Sequence, residues 1–327
     1  TETASSTRVP GAVSSGPGWE GGGSLTSLEV SLAGLKLRNP TVLASGILGV
    51  SLGSARRVES AGAGAFTTKT ITKEPRRGYF NPTFVATEHG YLNAVGLANP
   101  GIEHFCSELR EIVKSLSIPV LLSAGGWSGE ELVEVAKRGL ECGAHAVELN
   151  VSCPHVKGMG VELGHNVEEV VEAVRQIRSA GGRVFVKLSV HHNYLKLAEA
   201  VVDAGASGLT AINTVRGMAI DIYARKPVLS NVYGGYSGPA IRPIAVRVVY
   251  ELYERFPETP IIGVGGVDSW EGAVEMLLAG ATAVGVGSAI ALKDLEIFRE
   301  IAEGLRKYLE SEGFSSVKEL VGLAHRR

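Results

Sequence analysis

Cysteine is scarce in this chain: Cys106, Cys142 and Cys153 are the three among 327 residues. The number is odd and no C-x-x-C occurs, which argues against a disulfide framework and against a zinc ribbon or iron–sulfur site within the chain. A reducing, cytoplasmic location is the default that follows. Neither sign of charge is in excess. With a formal net charge of -2 there is no electrostatic case for nucleic acid or an anionic membrane as partner. Long apolar runs are missing too. Residues 281–292 come nearest, but Gly and Ser interrupt them and they are too short to span a bilayer. The N-terminal stretch lacks the apolar segment of a secretory signal.

What is present, 45% hydrophobic against 20% charged residues, supports a large buried core. The length admits two domains or one α/β barrel with insertions. Residues 1–24 are mostly Ser, Gly, Pro and Thr, which bury too little surface to offset the entropy of ordering. We read them as a flexible tail and residues 25–327 as one domain. Leu28-Glu29-Val30-Ser31-Leu32 and Leu35-Lys36-Leu37 alternate around Ala33-Gly34; this is the pattern of a short hairpin, placed where one commonly plugs the bottom of a barrel.

Strand and helix patterns then alternate. Apolar runs predict strands over 41–44, 65–69, 119–123, 146–150, 184–188, 208–212, 261–264 and 283–287. Apolar residues three and four apart predict helices over 103–115, 130–142, 167–179, 194–204, 241–255, 269–279 and 295–309, with a short one near 54–60. Gly143, Gly205 and Gly280 follow helices where a C-terminal glycine turns the chain into the next strand. Eight strands alternating with helices give a (β/α)8 TIM barrel. An open doubly wound sheet would carry its glycines after the first strand, whereas here they follow the last two.

In such a barrel the active site lies at the C-terminal ends of the strands. Those ends carry Ala44-Ser45-Gly46, Thr68-Lys69-Thr70, Asn150-Val151-Ser152-Cys153, Lys187-Leu188-Ser189 and Ile212-Asn213-Thr214. Two lysines, two asparagines, several hydroxyls and a thiol thus converge on one rim, and packing explains them poorly, because buried Lys and Asn are costly without partners. The thiol of Cys153 can serve as base, nucleophile or metal ligand; the plain alternative is a small buried hydrophobe. Gly265-Gly266 and Gly287-Ser288 close the last two strands and predict a phosphate cradle of backbone N–H groups. Residues 73–101 and 215–237 are two long excursions on the catalytic side; Arg216, Arg225 and Lys226 in the second are read as a solvated face. Cys142 with His145, and His191 with His192, lack convergent ligand geometry, so no metal site is expected.

Together, Thr68-Lys69-Thr70, Asn93-Ala94-Val95-Gly96-Leu97, Asn150-Val151-Ser152-Cys153-Pro154, Val186-Lys187-Leu188-Ser189, Ile212-Asn213-Thr214, Gly235-Tyr236-Ser237-Gly238 and the two glycine pairs resemble the dihydroorotate dehydrogenase family, flavin enzymes of pyrimidine synthesis. The resemblance runs from Leu25 to the C-terminus. A thiol where other members have serine points to the soluble class. The segments Lys-Thr-Ile-Thr-Lys-Glu-Pro-Arg-Arg-Gly-Tyr and Asn-Thr-Val-Arg-Gly-Met-Ala-Ile-Asp-Ile look most like its NAD-linked branch, whose catalytic subunit pairs with a subunit carrying FAD and a [2Fe–2S] cluster. The resemblance implies a homodimer and FMN as cofactor. It implies that Ala44, Ser45, Lys69, Asn150, Lys187, Ile212 and Gly238 surround the flavin ring and ribityl chain, with the phosphate on Gly265, Gly266, Gly287 and Ser288. It implies that Lys69, Asn93, Asn150, Asn213 and Thr214, with Ala94, Val95, Gly96 and Leu97, bind dihydroorotate, and that Cys153 is the general base.

Two departures stand out. His155 follows Cys-Pro where many members have Asn, and Val190 stands where Pro is common. Dihydropyrimidine dehydrogenases also read Ser-Cys-Pro-His followed by Gly-Met-Gly, as Gly158-Met159-Gly160 does here, so reduction of uracil or thymine is the enzymatic alternative. A non-redox barrel binding a phosphorylated metabolite is the alternative of another class.

Overall fold

The computed structural model describes residues 26–151 and 164–326. The tail 1–24, Cys153, His155, Gly158 and Gly160 lie outside the described residues. Ahead of the barrel, β1 (Val30–Leu32) and β2 (Leu35–Leu37) pair antiparallel as the alternation predicts. Val30, Leu32, Leu35 and Leu37 are buried while Ser31 and Lys36 between them are exposed. Arg183, just before a barrel strand begins, donates from Nε to the Ala33 carbonyl at 3.1 Å. This pins the hairpin at the N-terminal end of the strands, opposite the catalytic rim.

Then come β3 (Thr41–Leu43), α1 (Leu52–Ser60) and β4 (Ala65–Thr67), followed by β5 (Phe84–Thr87) and β6 (Gly90–Asn93) in the first excursion. After α2 (Ile102–Ser115), β7 (Val120–Ala124), α3 (Gly129–Glu141) and β8 (Ala146–Asn150), the chain continues with α4 (Val167–Ser179), β9 (Val184–Leu188), α5 (Tyr194–Asp203) and β10 (Gly208–Ala211). The second excursion holds β11 (Val215–Gly217), β12 (Ile220–Asp221), β13 (Lys226–Pro227) and β14 (Gly234–Ser237). The chain closes with α6 (Arg242–Arg255), β15 (Ile261–Val264), α7 (Trp270–Ala279), β16 (Ala283–Val286), α8 (Ile290–Lys293) and α9 (Ile297–Glu312). Strands β3, β4, β7, β8, β9, β10, β15 and β16 form a closed parallel barrel in that order. Each predicted barrel strand is present; β3, β4, β10 and β16 stop one or two residues short of the expected end, although the N–H groups of Ala44 and Ile212 still bond to the neighbouring strands.

The helices start where the sequence supplies an acceptor. Ser51, Ser128, Asn166, Asn193 and Ser269 each take the N–H three residues on, at the heads of α1, α3, α4, α5 and α7; such a cap is worth about 1 kcal/mol. Among the described residues no helix is long and apolar enough to cross a membrane.

Two expectations change. The excursions are not plain loops: β11, β14, β6 and β5 join as an antiparallel sheet over the barrel mouth, with Asn93 opposite Gly235 and Phe84. Short strands broken by Gly90, Gly217, Gly234 and Gly235 gave no sustained alternation. The second change is a disulfide, between Cys106 on α2 and Cys142 at the end of α3. An odd count argues against a complete framework but not against one bridge, and the neighbouring helices close a separation of 36 residues that spacing does not show.

Candidate active site

The C-terminal ends of the barrel strands and the small sheet enclose a cleft with about 1130 Å³ of empty space, open to solvent. Ala44, Ser45, Lys69, Asn93, Val95, Gly96, Leu97, Asn150, Lys187, Ile212, Asn213, Thr214, Gly265, Gly266, Gly287 and Ser288 all line it. Ala94 and Gly238 do not. The Ala94 side chain is fully buried with Leu92 and Leu229 under the small sheet, and its N–H is spent on the Thr83 carbonyl at 2.7 Å. Gly238 (φ 109°) packs on the β5–β6 turn, where a Cβ would come within 2.8 Å of Gly90 Cα.

Parallel strands buried on both faces carry polar groups only where something holds them. Here a chain of hydrogen bonds crosses the floor. Asn213 Nδ2 donates to Asn150 Oδ1 (3.2 Å), Asn150 Nδ2 donates to Thr70 Oγ1 (3.1 Å), and Thr70 Oγ1 lies 3.0 Å from Ser123 Oγ. The asparagine amides are therefore oriented before any ligand arrives. Lys187 Nζ donates to Ser45 Oγ (3.0 Å) and Lys69 Nζ to the Gly46 carbonyl (3.3 Å), bringing both cations to the same wall. Asn93 Nδ2 donates to the Gly235 carbonyl, tying the small sheet to the site.

The loop after β6 is fixed by Asn99. Its Oδ1 accepts from the N–H of Thr72 and Gly101, and its Nδ2 donates to Thr72 Oγ1 and to the Leu97 carbonyl. The carbonyls of Val95, Gly96 and Leu97 are taken by Tyr79, Arg76 and Asn99, whereas their N–H groups donate to no backbone acceptor among the described residues. The same holds for the N–H groups of Gly265, Gly266, Gly287 and Ser288 across the mouth. Gly266 has φ 74°, and a Cβ there would lie 2.6 Å from Arg242 Cβ, so this turn requires glycine. Arg242 spans the turn, bonding the Gly266 carbonyl and pairing with Asp268 (3.1 Å) and Glu275 (3.0 Å). Uncommitted N–H groups at a glycine turn fit a phosphate, and lysines beside oriented amides fit an electron-rich heterocycle. On the chemistry of its donors the site fits FMN.

Sequence reasoning missed Thr70 as the link between Asn150 and Ser123, and Phe84, whose ring lines the cleft and stacks on Tyr91 with centroids 5.1 Å apart. Phe84-Val85-Ala86-Thr87 carries no apolar–polar alternation in its letters, and only the structure shows its residues alternating in exposure.

Beside the site, burial, with His165 and His191 nearby, pushes the His192 ring down to about 4. Its Nε2 accepts from the Ser189 N–H at 3.4 Å and its Nδ1 has no partner among the described residues. His191, which accepts from the Arg216 N–H at 2.7 Å, is also lowered, mainly by burial. A buried neutral imidazole takes up its proton on unfolding. Between the ordinary histidine value of about 6.5 and about 4 the unfolded chain therefore binds more protons, and stability is lost as pH falls through that window. Denaturant titrations across this range should show the loss in the parent protein and a shallower one in His192→Leu; equal slopes would mean that His192 does not contribute.

The family model for dihydroorotate dehydrogenase matches residues 27–309. The catalytic subunit of dihydroorotate dehydrogenase B (NAD(+)) from Pyrococcus abyssi is 47% identical over 91% of this chain and 99% of its own length. An Aeropyrum pernix relative, provisionally named dihydroorotate dehydrogenase A (fumarate), is also 47% identical, over 91% of this chain and 98% of its own. Among solved structures, a dihydroorotate dehydrogenase from Eimeria tenella in complex with ferulenol aligns with a TM-score of 0.81 at 20% identity, covering 92% of this chain and 89% of that one, and supports the fold. With a barrel whose mouth gathers these amides, cations and glycine turns, and a family match spanning nearly all of it, the chain belongs to the dihydroorotate dehydrogenase family.

Proposed function

We propose that the protein oxidises dihydroorotate to orotate in pyrimidine biosynthesis, with FMN as its bound cofactor. The observation that supports this most is the convergence of Lys69, Lys187, Asn93, Asn150, Asn213 and uncommitted glycine N–H groups on one cleft. FMN, when bound, supplies the acceptor for the hydride that leaves substrate C6. Gly265, Gly266, Gly287 and Ser288 hold the phosphate; Ala44, Ser45, Ile212 and the two lysines face the ring and ribityl chain. Asn93, Asn150 and Asn213, each offering a donor and an acceptor, bind the pyrimidine amides, with Thr214 beside them. The N–H groups of Val95, Gly96 and Leu97 receive the carboxylate, and Cys153 takes the C5 proton as general base.

For the physiological acceptor we take NAD, reached through a partner subunit carrying FAD and a [2Fe–2S] cluster, in a cytoplasmic assembly built on a homodimer; the name of the Pyrococcus abyssi relative supports NAD as acceptor and a separate subunit beside the catalytic one. An anaerobic visible spectrum, recorded before and after adding dihydroorotate, tests the reaction, with dihydrouracil as a parallel sample. Bleaching of a flavin spectrum by dihydroorotate alone is the expected result. Bleaching by dihydrouracil instead would transfer the assignment to uracil or thymine reduction, and a chain that neither carries nor takes up FMN would remove the redox reading. Reoxidation of the bleached protein by fumarate without any partner would favour the acceptor named for the Aeropyrum pernix relative.

A further inference from the structure

Among the described residues Glu148 is the acidic side chain paired with the floor lysine, and neither the fold nor the proposed chemistry has so far used it. We propose that Glu148 is a positioning residue: its carboxylate, beneath Asn150, offsets the charge of Lys187 Nζ at the floor of the cleft and so sets the reduction potential of the bound flavin. The inference rests on the FMN reading above. On β8, Glu148 stands two residues before Asn150 and points to the same barrel-facing side. The register pairs Asn150 with Lys187 and Glu148 with Ser123, so the carboxylate lies one layer below the amide that lines the cleft. The Lys187 and Glu148 side chains are 7% and 3% exposed, with Nζ 3.8 Å from Oε1.

The pair is poorly built for stability. At 3.8 Å it is an ion pair without a hydrogen bond, and Glu148 Oε1 is buried with no hydrogen-bond partner among the described residues. Thr210 Oγ1, at the register position across from Lys187 on β10, is likewise buried with no partner among the described residues. Removing two charges from water returns its cost only when the geometry is good and the remaining lone pairs are satisfied. An apolar pair of similar volume would pack here at less cost. A charged carboxylate under a charged lysine makes sense where the site needs the lysine's charge near the flavin and needs it offset to a defined degree.

The test is the midpoint potential of bound FMN, measured anaerobically in the parent protein, Glu148→Asp and Glu148→Gln. Glu148→Asp should match the parent. Glu148→Gln leaves the lysine charge without its offset, so the electron-rich reduced flavin is bound relatively tighter. We expect its affinity relative to oxidised FMN to rise about tenfold, a shift of about 30 mV upward for a two-electron couple. A merely structural Glu148 would lower the thermal midpoint of Glu148→Gln and leave the potential in place, and that result overturns the inference. If Glu148→Gln does not fold, the double variant Glu148→Gln/Lys187→Met, which buries no charge, carries the test. It should fold, bind FMN and show a potential below the parent's; a parental potential in that double variant overturns the inference equally. A parent protein that binds no FMN overturns the functional reading, and this inference with it, and is distinguished by its lack of a flavin spectrum.

Discussion

Replacing Cys153 with Ala should leave the protein yellow and slow reduction of its flavin by dihydroorotate by about two to four orders of magnitude, the usual contribution of a positioned general base. The thiol suits the task only as thiolate. An ordinary cysteine titrates near ~8.5, so the parent's reduction rate should climb with pH through the neutral to alkaline range, while that of Cys153→Ala should lose this climb. Stopped-flow absorbance of the flavin under anaerobic conditions reads both effects. Asn150 is locked by Thr70 and Asn213, and Val151 is buried, so the C-terminal end of β8 is fixed in place. At the other end, a Cβ on Gly164 would fall 2.8 Å from the Val151 carbonyl, which places the two ends of the segment side by side. Undiminished reduction in Cys153→Ala would remove the thiol from the reaction and leave its position without a chemical reason.

How much of this was legible follows from the kind of contact involved. The barrel strands are buried on both faces, so β8 and β9 read as near-continuous apolar runs, and their few polar residues stood out at the C-terminal ends. That is why Asn150, Lys187, Lys69 and Asn213 could be found from order alone. The small sheet could not. Its pairing joins Asn93 to Gly235, far apart in the chain, through strands of three or four residues whose glycines carry no hydropathy signal. Phe84 was lost with that sheet. Ala94 was assigned to the site by its neighbours in a motif, but side-chain direction alternates along a strand and its continuation, and this residue faces inward. Thr70 and Glu148 were visible as letters; only the register shows that one bridges Asn150 to Ser123 and the other underlies Lys187.

The Cys106–Cys142 bridge carries the largest expected effect on stability. The two Cα atoms are 5.6 Å apart, within the usual span of a disulfide, and both residues are 2% exposed. The bridge closes a loop of 36 residues that contains β7 and all of α3, so the unfolded chain loses considerable freedom. In the chain-entropy account a loop of that length is worth about 4 kcal/mol. Alkylation of the denatured, unreduced protein should therefore label Cys153 alone, since two of the three cysteines are bridged. Reductant added to the native protein should leave that pattern unchanged, because a thiolate cannot reach a sulfur buried between α2 and α3 without opening the helices. Cys106→Ala/Cys142→Ala should lower the unfolding free energy by most of those ~4 kcal/mol without altering FMN binding, because the bridge lies among the outer helices and the cleft at the strand ends. Such a bridge also bears on location: intracellular disulfides are rare in general but common in hyperthermophilic archaea and bacteria. Three labelled cysteines in the unreduced protein would show that the sulfurs, though adjacent, stay as thiols, and the stability of the α2–α3 pair would then rest on Leu109, Leu132 and their apolar neighbours alone.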